Sequence, residues 1–270
     1  MTVKNTKAQF CVEKRFETIP ALDATRARLF EVLQRDDADI ERVERIISTD
    51  PAVAAKVMKL ANSPFYRHTR KHLGLHQSLL TIGLDMVKCI SLSMTVMDTL
   101  KCETRYARDL WAHSYAAAVI AISLSVSKAE KDRLFTGALL HDLGRMIFLF
   151  LAPEIYTALI DSERCRPGEE LERQTFSLSH TELGKTVAMK WNFPQEIVEI
   201  ISSHHRPVNH DSALVCLINH VICQYERGIP EADPSCLGIV RPFLGDTLKD
   251  LVNIIAQRYK TNTAMIESLF

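Results

Sequence analysis

The chain has 270 residues, with Lys+Arg and Asp+Glu at 33 each, so it carries no formal net charge at neutral pH. No overall field draws it to nucleic acid or to an anionic membrane surface, which argues against general nucleic-acid binding. With 47% hydrophobic residues it can bury a sizeable core, in one large domain or two small ones packed together. No stretch reads as the roughly 20 uninterrupted apolar residues of a membrane span, and the charged N-terminus lacks a signal-peptide pattern. A cytoplasmic protein that does not engage a membrane is expected. The seven cysteines (Cys11, Cys89, Cys102, Cys165, Cys216, Cys223 and Cys236) include no CxxC pair and fit reduced thiols.

Apolar stripes of helical period recur from end to end and strand alternation is nearly absent, so the fold is expected to be all-α, a multi-helix bundle. A helix should follow Pro20 and Asp23, with Leu22, Ala27, Phe30 and Leu33 on its apolar face. Asp39 can cap a second helix carrying Ile40, Val43, Ile46 and Ile47. Asp50-Pro51 starts a third, to Asn62, because Asp accepts orphan N–H groups and Pro tolerates the first helical position. Residues 63–76, with the basic run Arg67-His68-Thr-Arg70-Lys71-His72, read as a solvated connection. Helix resumes at Leu79–Ile82 and, after Gly83, at Leu84–Leu100. A charged break at Lys101–Arg105 divides an N-terminal helical subdomain (1–100) from a core (101–230), which residues 231–270 close. Core helices are expected near 109–128, 132–141, 145–150, 180–192, 194–204 and 212–227. Residues 228–242 read as loop, and two further helices should lie at 247–257 and 262–269.

The chemistry concentrates in the core. Gly137-Ala-Leu-Leu-His141-Asp142-Leu-Gly144-Arg145 places a His-Asp pair at a helix end, where backbone bending lets neighbours about 100° apart grip one divalent ion. Arg145 carries a planar donor fork suited to phosphate. His204-His205 repeats the arrangement at a second helix end, with one imidazole able to face the interior and the other a rim. His113 sits among small residues, His180 starts a helix, and His220 is the polar residue of an apolar segment and needs a partner. Taken singly, each of these has a bland reading: a cap, a buried hydrogen-bonded histidine, or a surface pair.

In order, these motifs resemble the HD superfamily of metal-dependent phosphohydrolases, and more closely its HDOD (HD-related output domain) branch, over residues 16–227. The resemblance rests on Ile19-Pro20-Ala21-Leu22, Ile46 to Tyr66, Leu79 to Gly83, Trp111-Ala-His113-Ser, Gly137 to Gly144, Glu172, His180-Thr-Glu-Leu-Gly184, Trp191-Asn-Phe-Pro194 and His204-His205-Arg-Pro207. It implies an all-helical module of bacterial signalling without demonstrated hydrolysis, binding a partner protein or a nucleotide. The related HD-GYP phosphodiesterases hold two metal ions with a similar histidine set and cut cyclic di-GMP. This chain departs from them: Arg145 stands where they have Lys, the GYP motif is missing after His205, and His220 takes the place of the last metal-binding Asp. The implied ligand set is His113, His141, Asp142, His180, His204, His205 and His220. Its imidazoles suit Fe, Mn, Zn or Ni. The alternative implied by the superfamily is a phosphohydrolase acting on a nucleotide or cyclic dinucleotide, with Arg145 contacting phosphate.

Overall fold

The computed structural model describes residues 12, 15–21, 39–62, 66, 73–100, 104–163, 166–229 and 231–267. The helix expected after Pro20 and the basic run 67–72 lie outside the described residues. Among those described, the chain is helical and contains no strand. It divides into two compact units, residues 22–99 with 261–270, and residues 1–21 with 100–260.

In the first unit, α1 (Ile40–Ile47) is capped by Asp39, whose carboxylate accepts from the Arg42 N–H, and it buries Val43 and Ile47. Asp50 accepts from the Ala52 and Val53 N–H groups to start α2 (Pro51–Ala61), with Pro51 in the first turn. Asn62 then ties off the connection to the next helix. Its Nδ2 donates to Met58 O and Leu73 O at 2.8 and 3.1 Å, and its Oδ1 accepts from the Leu73 N–H at 2.8 Å. Helices α3 (Leu75–Ile82) and α4 (Leu84–Leu100) are separated by Gly83, whose φ of +79° is open to glycine and strained for a branched residue. Within α4, the buried Ser91 and Thr95 hydroxyls donate back to carbonyls one turn earlier, which satisfies them without a partner helix.

The second unit holds α5 (Arg105–Leu124), α6 (Lys128–Leu140), α7 (Leu143–Leu151), α8 (Pro153–Glu163), α9 (Glu169–Phe176), α10 (His180–Lys190), α11 (Gln195–Ser203), α12 (His210–Glu226), α13 (Pro234–Leu244) and residues 248–260 of α14 (Leu248–Glu267). Helix α5 packs on α6 and α12, α6 on α11, and α10 on both α7 and α11. Stacked Phe148, Tyr156 and Phe176 fill the space beside α7, with ring centroids 4.4 to 6.1 Å apart. Trp191 Nε1, at the C-terminal end of α10, donates to Pro20 O at 3.0 Å, tying the segment before residue 22 to that helix. Among the described residues, Cys216, Cys223 and Cys236 are free thiols.

Several expectations are corrected. Residues 153–163 and 169–176 are helices that the apolar pattern did not mark, since each is short and α8 buries only Tyr156. Residues 234–244 form a helix instead of a loop, because Asp233 caps it at the Ser235 N–H and Pro234 sits in its first turn. Residues 248–267 form one helix instead of two. The stretch 128–151 is long and apolar enough to cross a membrane by length and composition, yet 94% of its apolar window is buried inside the protein. It is also broken at His141-Asp142. This is the core of the second unit.

Candidate metal centre

One close helix crossing assembles the centre. A Cβ on Gly144 would stand 1.9 Å from the His180 carbonyl oxygen, and one on Gly184 would stand 3.2 Å from the Gly144 nitrogen. Only glycine lets α7 and α10 approach this closely, and that approach brings the N-terminus of α10, with His180 in its first turn, against Asp142. A capping box of Ser179 and Glu182 fixes that N-terminus.

Asp142, 2% exposed, lies between α6 and α7 and is ringed by imidazoles. The Nε2 atoms of His141, His180 and His204 lie 3.5, 3.6 and 3.8 Å from its carboxylate oxygens. His180 Nε2 is in turn 3.4 Å from His204 Nε2 and 3.1 Å from His205 Nε2. His141, His180 and His204 are fully buried, whereas His205 is half-buried, so the His204-His205 pair does present one ring inward and one to a rim.

The other ring nitrogen of each buried imidazole is committed. His141 Nδ1 donates to Ala138 O at 2.7 Å, His204 Nδ1 to Ile201 O at 2.9 Å, and His180 Nδ1 to Glu172 Oε2 at 2.6 Å. Carbonyl and carboxylate oxygens only accept, so each Nδ1 carries the proton and each neutral ring turns an Nε2 lone pair inward. His180 and His204 then face each other lone pair to lone pair, and buried His141 Nε2 has no hydrogen-bond partner. A cation satisfies all three at once. Ligand atoms sharing an ion at about 2.1 Å stand about 3.0–3.5 Å apart, close to the separations here.

Electrostatics keep these donors in ligating form. Burial pushes His141 down to about 4 and His205 to about 3, and burial with the neighbouring imidazoles holds His204 well below the usual histidine range. Burial alone would raise Asp142, but the Arg145 guanidinium and the surrounding imidazoles hold it well below the usual carboxylate range. Glu172 is likewise brought to about 2, with burial outweighed by His180 and Arg145.

Arg145 lies inside this network. It is 4% exposed, its Nε donates to Asp142 Oδ1 at 2.8 Å, and its Nη1 donates to Glu172 Oε1, Tyr156 Oη and Pro167 O at 3.0, 3.1 and 2.7 Å. It braces the carboxylates instead of facing a phosphate. Glu172 also accepts from the Tyr156 hydroxyl and the His180 backbone N–H, at 2.7 and 2.8 Å.

His113 and His220 are placed differently. His113 on α5 is buried with its ring 5.3 Å from that of His141, but its Nδ1 donates to Glu226 Oε1 at 3.1 Å and its Nε2 meets Asn219 Oδ1 at 2.9 Å. His220 does not join the cluster, because adjacent residues of a helix point about 100° apart and Asn219 takes the inward direction. His220 Nε2 instead accepts from the Asp233 N–H at 2.9 Å. Asn219, Cys223 and Glu226, one turn apart on α12, and Arg166 before α9 are the neighbours that sequence reasoning missed. The i, i+4 and i+7 spacing of the first three was their only signal.

The model of the HDOD domain family matches residues 19–207. An uncharacterized protein of Treponema pallidum is 24% identical over 207 residues, 75% of this chain and 40% of that protein, so the chain spans well under half of this relative's length. An HDOD domain protein of unknown function from Geobacter sulfurreducens has the same fold at TM-score 0.75 and 22% identity, covering 98% of this chain and 99% of that one. A candidate phosphohydrolase from Shewanella amazonensis aligns at TM-score 0.73 and 18% identity, over 96% and 98% of the two chains. A candidate signal transduction protein from Marinobacter aquaeolei aligns at 0.71 and 17%, over 96% of this chain and 61% of the other. With a family match over residues 19–207 and the glycine-braced His-Asp centre inside it, this chain belongs to the HDOD family.

Proposed function

We propose that this chain is a regulatory module of bacterial signalling that binds a partner protein or a nucleotide without hydrolysing it, and that it holds a divalent transition ion at His141, Asp142, His180, His204 and His205. The observation that supports this most is the inward convergence of Nε2 lone pairs whose Nδ1 protons are already spent. His113 acts as a positioning neighbour, and His220 takes no part. An imidazole-rich set suits Fe, Zn or Ni better than the oxygen-preferring Mn. When bound, the ion supplies fixed positive charge and, on the side of half-buried His205, a coordination position for a ligand. Asp142 is the carboxylate that faces the Nε2 atoms, Glu172 takes the Nδ1 side of His180, and Arg145 pairs with both, so an added divalent ion exceeds the negative charge left over. The loaded centre is therefore cationic, which suits an anionic ligand such as a nucleotide phosphate. The neutral overall charge fits a small-ligand or protein partner better than nucleic acid, and a cytoplasmic location accompanies the reading.

The test is elemental analysis of the full chain purified without chelators, beside a His180→Ala/His204→Ala variant. Bound transition metal in the first and its loss in the second are expected, with no cleavage of cyclic dinucleotides by either. A chain that neither carries nor takes up metal overturns the metal site. Turnover abolished by His141→Ala returns the protein to the phosphohydrolases.

A further inference from the structure

Three donor groupings lie side by side in the second unit: His180, His204 and His205; His113, His141 and Asp142; and His113, Cys223 and Glu226. On geometry alone they invite more than one ion. The first is open, as described above. The other two are closed by the chain itself.

The third grouping already has a cation. Arg166 Nη1 donates to Cys223 Sγ at 3.0 Å, and its Nη2 donates to Glu226 Oε2 at 2.7 Å. The guanidinium thus contacts two of the three groups that an ion there would need. The middle grouping is shared out on both sides. Glu226 Oε1 accepts from His113 Nδ1 and the Asn219 side chain stands 2.9 Å in front of His113 Nε2, where an ion would have to enter, while Arg145 Nε occupies Asp142 Oδ1. The Cys223 thiol donates to Asn219 Oδ1 at 3.3 Å, which fixes the amide against His113. The two arginines are linked through the backbone, because Arg145 Nη1 donates to the carbonyl of Pro167, the residue after Arg166.

We propose that the centre holds a single ion, and that the guanidinium of Arg166, with Asn219 in place of a carboxylate, stands where a second cation would sit. This rests on the metal-binding reading given above and sets its regulatory consequence. A centre with one ion and a permanent guanidinium lacks the pair of metals, about 3.5–4 Å apart, that clamps both the attacking and the leaving oxygen in phosphodiester cleavage. It can bind an anion and cannot perform the two-metal displacement.

The experiment loads the full chain with excess Zn²⁺ and, in a second sample, with excess Mn²⁺, removes free metal by desalting, and counts metal per chain by mass spectrometry. Electron paramagnetic resonance of the Mn²⁺ sample distinguishes an isolated ion from an exchange-coupled pair. One Zn²⁺ per chain is expected, and any retained Mn²⁺ should give an uncoupled six-line signal. Two ions, or a coupled signal, overturn the proposal while leaving the metal-binding reading intact, whereas no bound metal in either sample overturns that earlier reading instead. In Arg166→Met/Asn219→Asp, checked for native helicity by circular dichroism, the count should double to two. A folded double variant that stays at one removes Arg166 and Asn219 from the explanation.

Discussion

Replacing Gly144 with Ala tests how the centre is assembled. The added Cβ would stand 1.9 Å from the His180 carbonyl oxygen, 2.6 Å from its carbon and 2.8 Å from its Cα. A carbon–oxygen contact relaxes at about 3.3 Å, so α7 and α10 must part by about 1.4 Å at their crossing. The obstacle is backbone in the first turn of α10, which has no rotamer to yield. The expected cost is at the upper end of the roughly 1–3 kcal/mol seen for overpacked cores. His180 shifts with that turn, and metal ligands tolerate only about 0.2 Å. Gly144→Ala should therefore lower the denaturant midpoint of the chelated protein and also fail to retain metal on desalting. Gly238→Ala is the matched control. Its Cβ meets nothing within 4 Å, it lies within α13, and the helix gains up to about 1 kcal/mol from the substitution. If Gly144→Ala keeps the midpoint and the metal of the parent chain, the close crossing is not what aligns His180 with Asp142.

Two other outcomes are expected. His220→Ala should leave the metal content unchanged and cost about 0.5–1.5 kcal/mol through loss of its bond to the Asp233 N–H, read by urea denaturation; loss of metal would return His220 to the ligands. The chelated protein should lose stability on acidification in two stages. His141 stays neutral in the fold down to about 4 while the unfolded chain takes up its proton near 6.5, so stability falls as pH drops from 6.5 towards 4. Glu172 and Glu226 are depressed from 4.5 to about 2, so their contribution is complete above 4.5 and is lost below it. Melting midpoints that stay level from pH 6.5 to 3 would refute this assignment of neutral histidines and ionised glutamates.

What could be read in the chain, and what could not, divides along a physical line. Caps and turns are local, so Asp39 and Asp50-Pro51 announce themselves, and the structure uses each where it was expected. The clustered histidines are nearly as legible, because an imidazole inside an apolar helix must find a partner, and three of the six expected rings gather on Asp142 with a fourth, His205, against His180. The partners are not legible. Trp191 reaches Pro20 across 171 positions, and Glu172, which the resemblance marked without a role, has acidic neighbours at the start of α9 from which only the fold separates it by setting it under His180. His220 shows the same limit most sharply. The residue beside it, Asn219, faces His113, and a rotation of about 100° along α12 is all that separates a ligand position from a bond to the next helix. Arg145 was readable in one respect that its resemblance to a phosphate contact concealed. Three residues after Asp142, across a helix start, it shares a face with that carboxylate, and a guanidinium so placed beside a buried acid is drawn inward before any substrate arrives. The same reasoning explains why a retained histidine set does not by itself retain a reaction: the imidazoles determine where an ion can sit, while the arginines beside them determine how many ions the carboxylates are still free to accept.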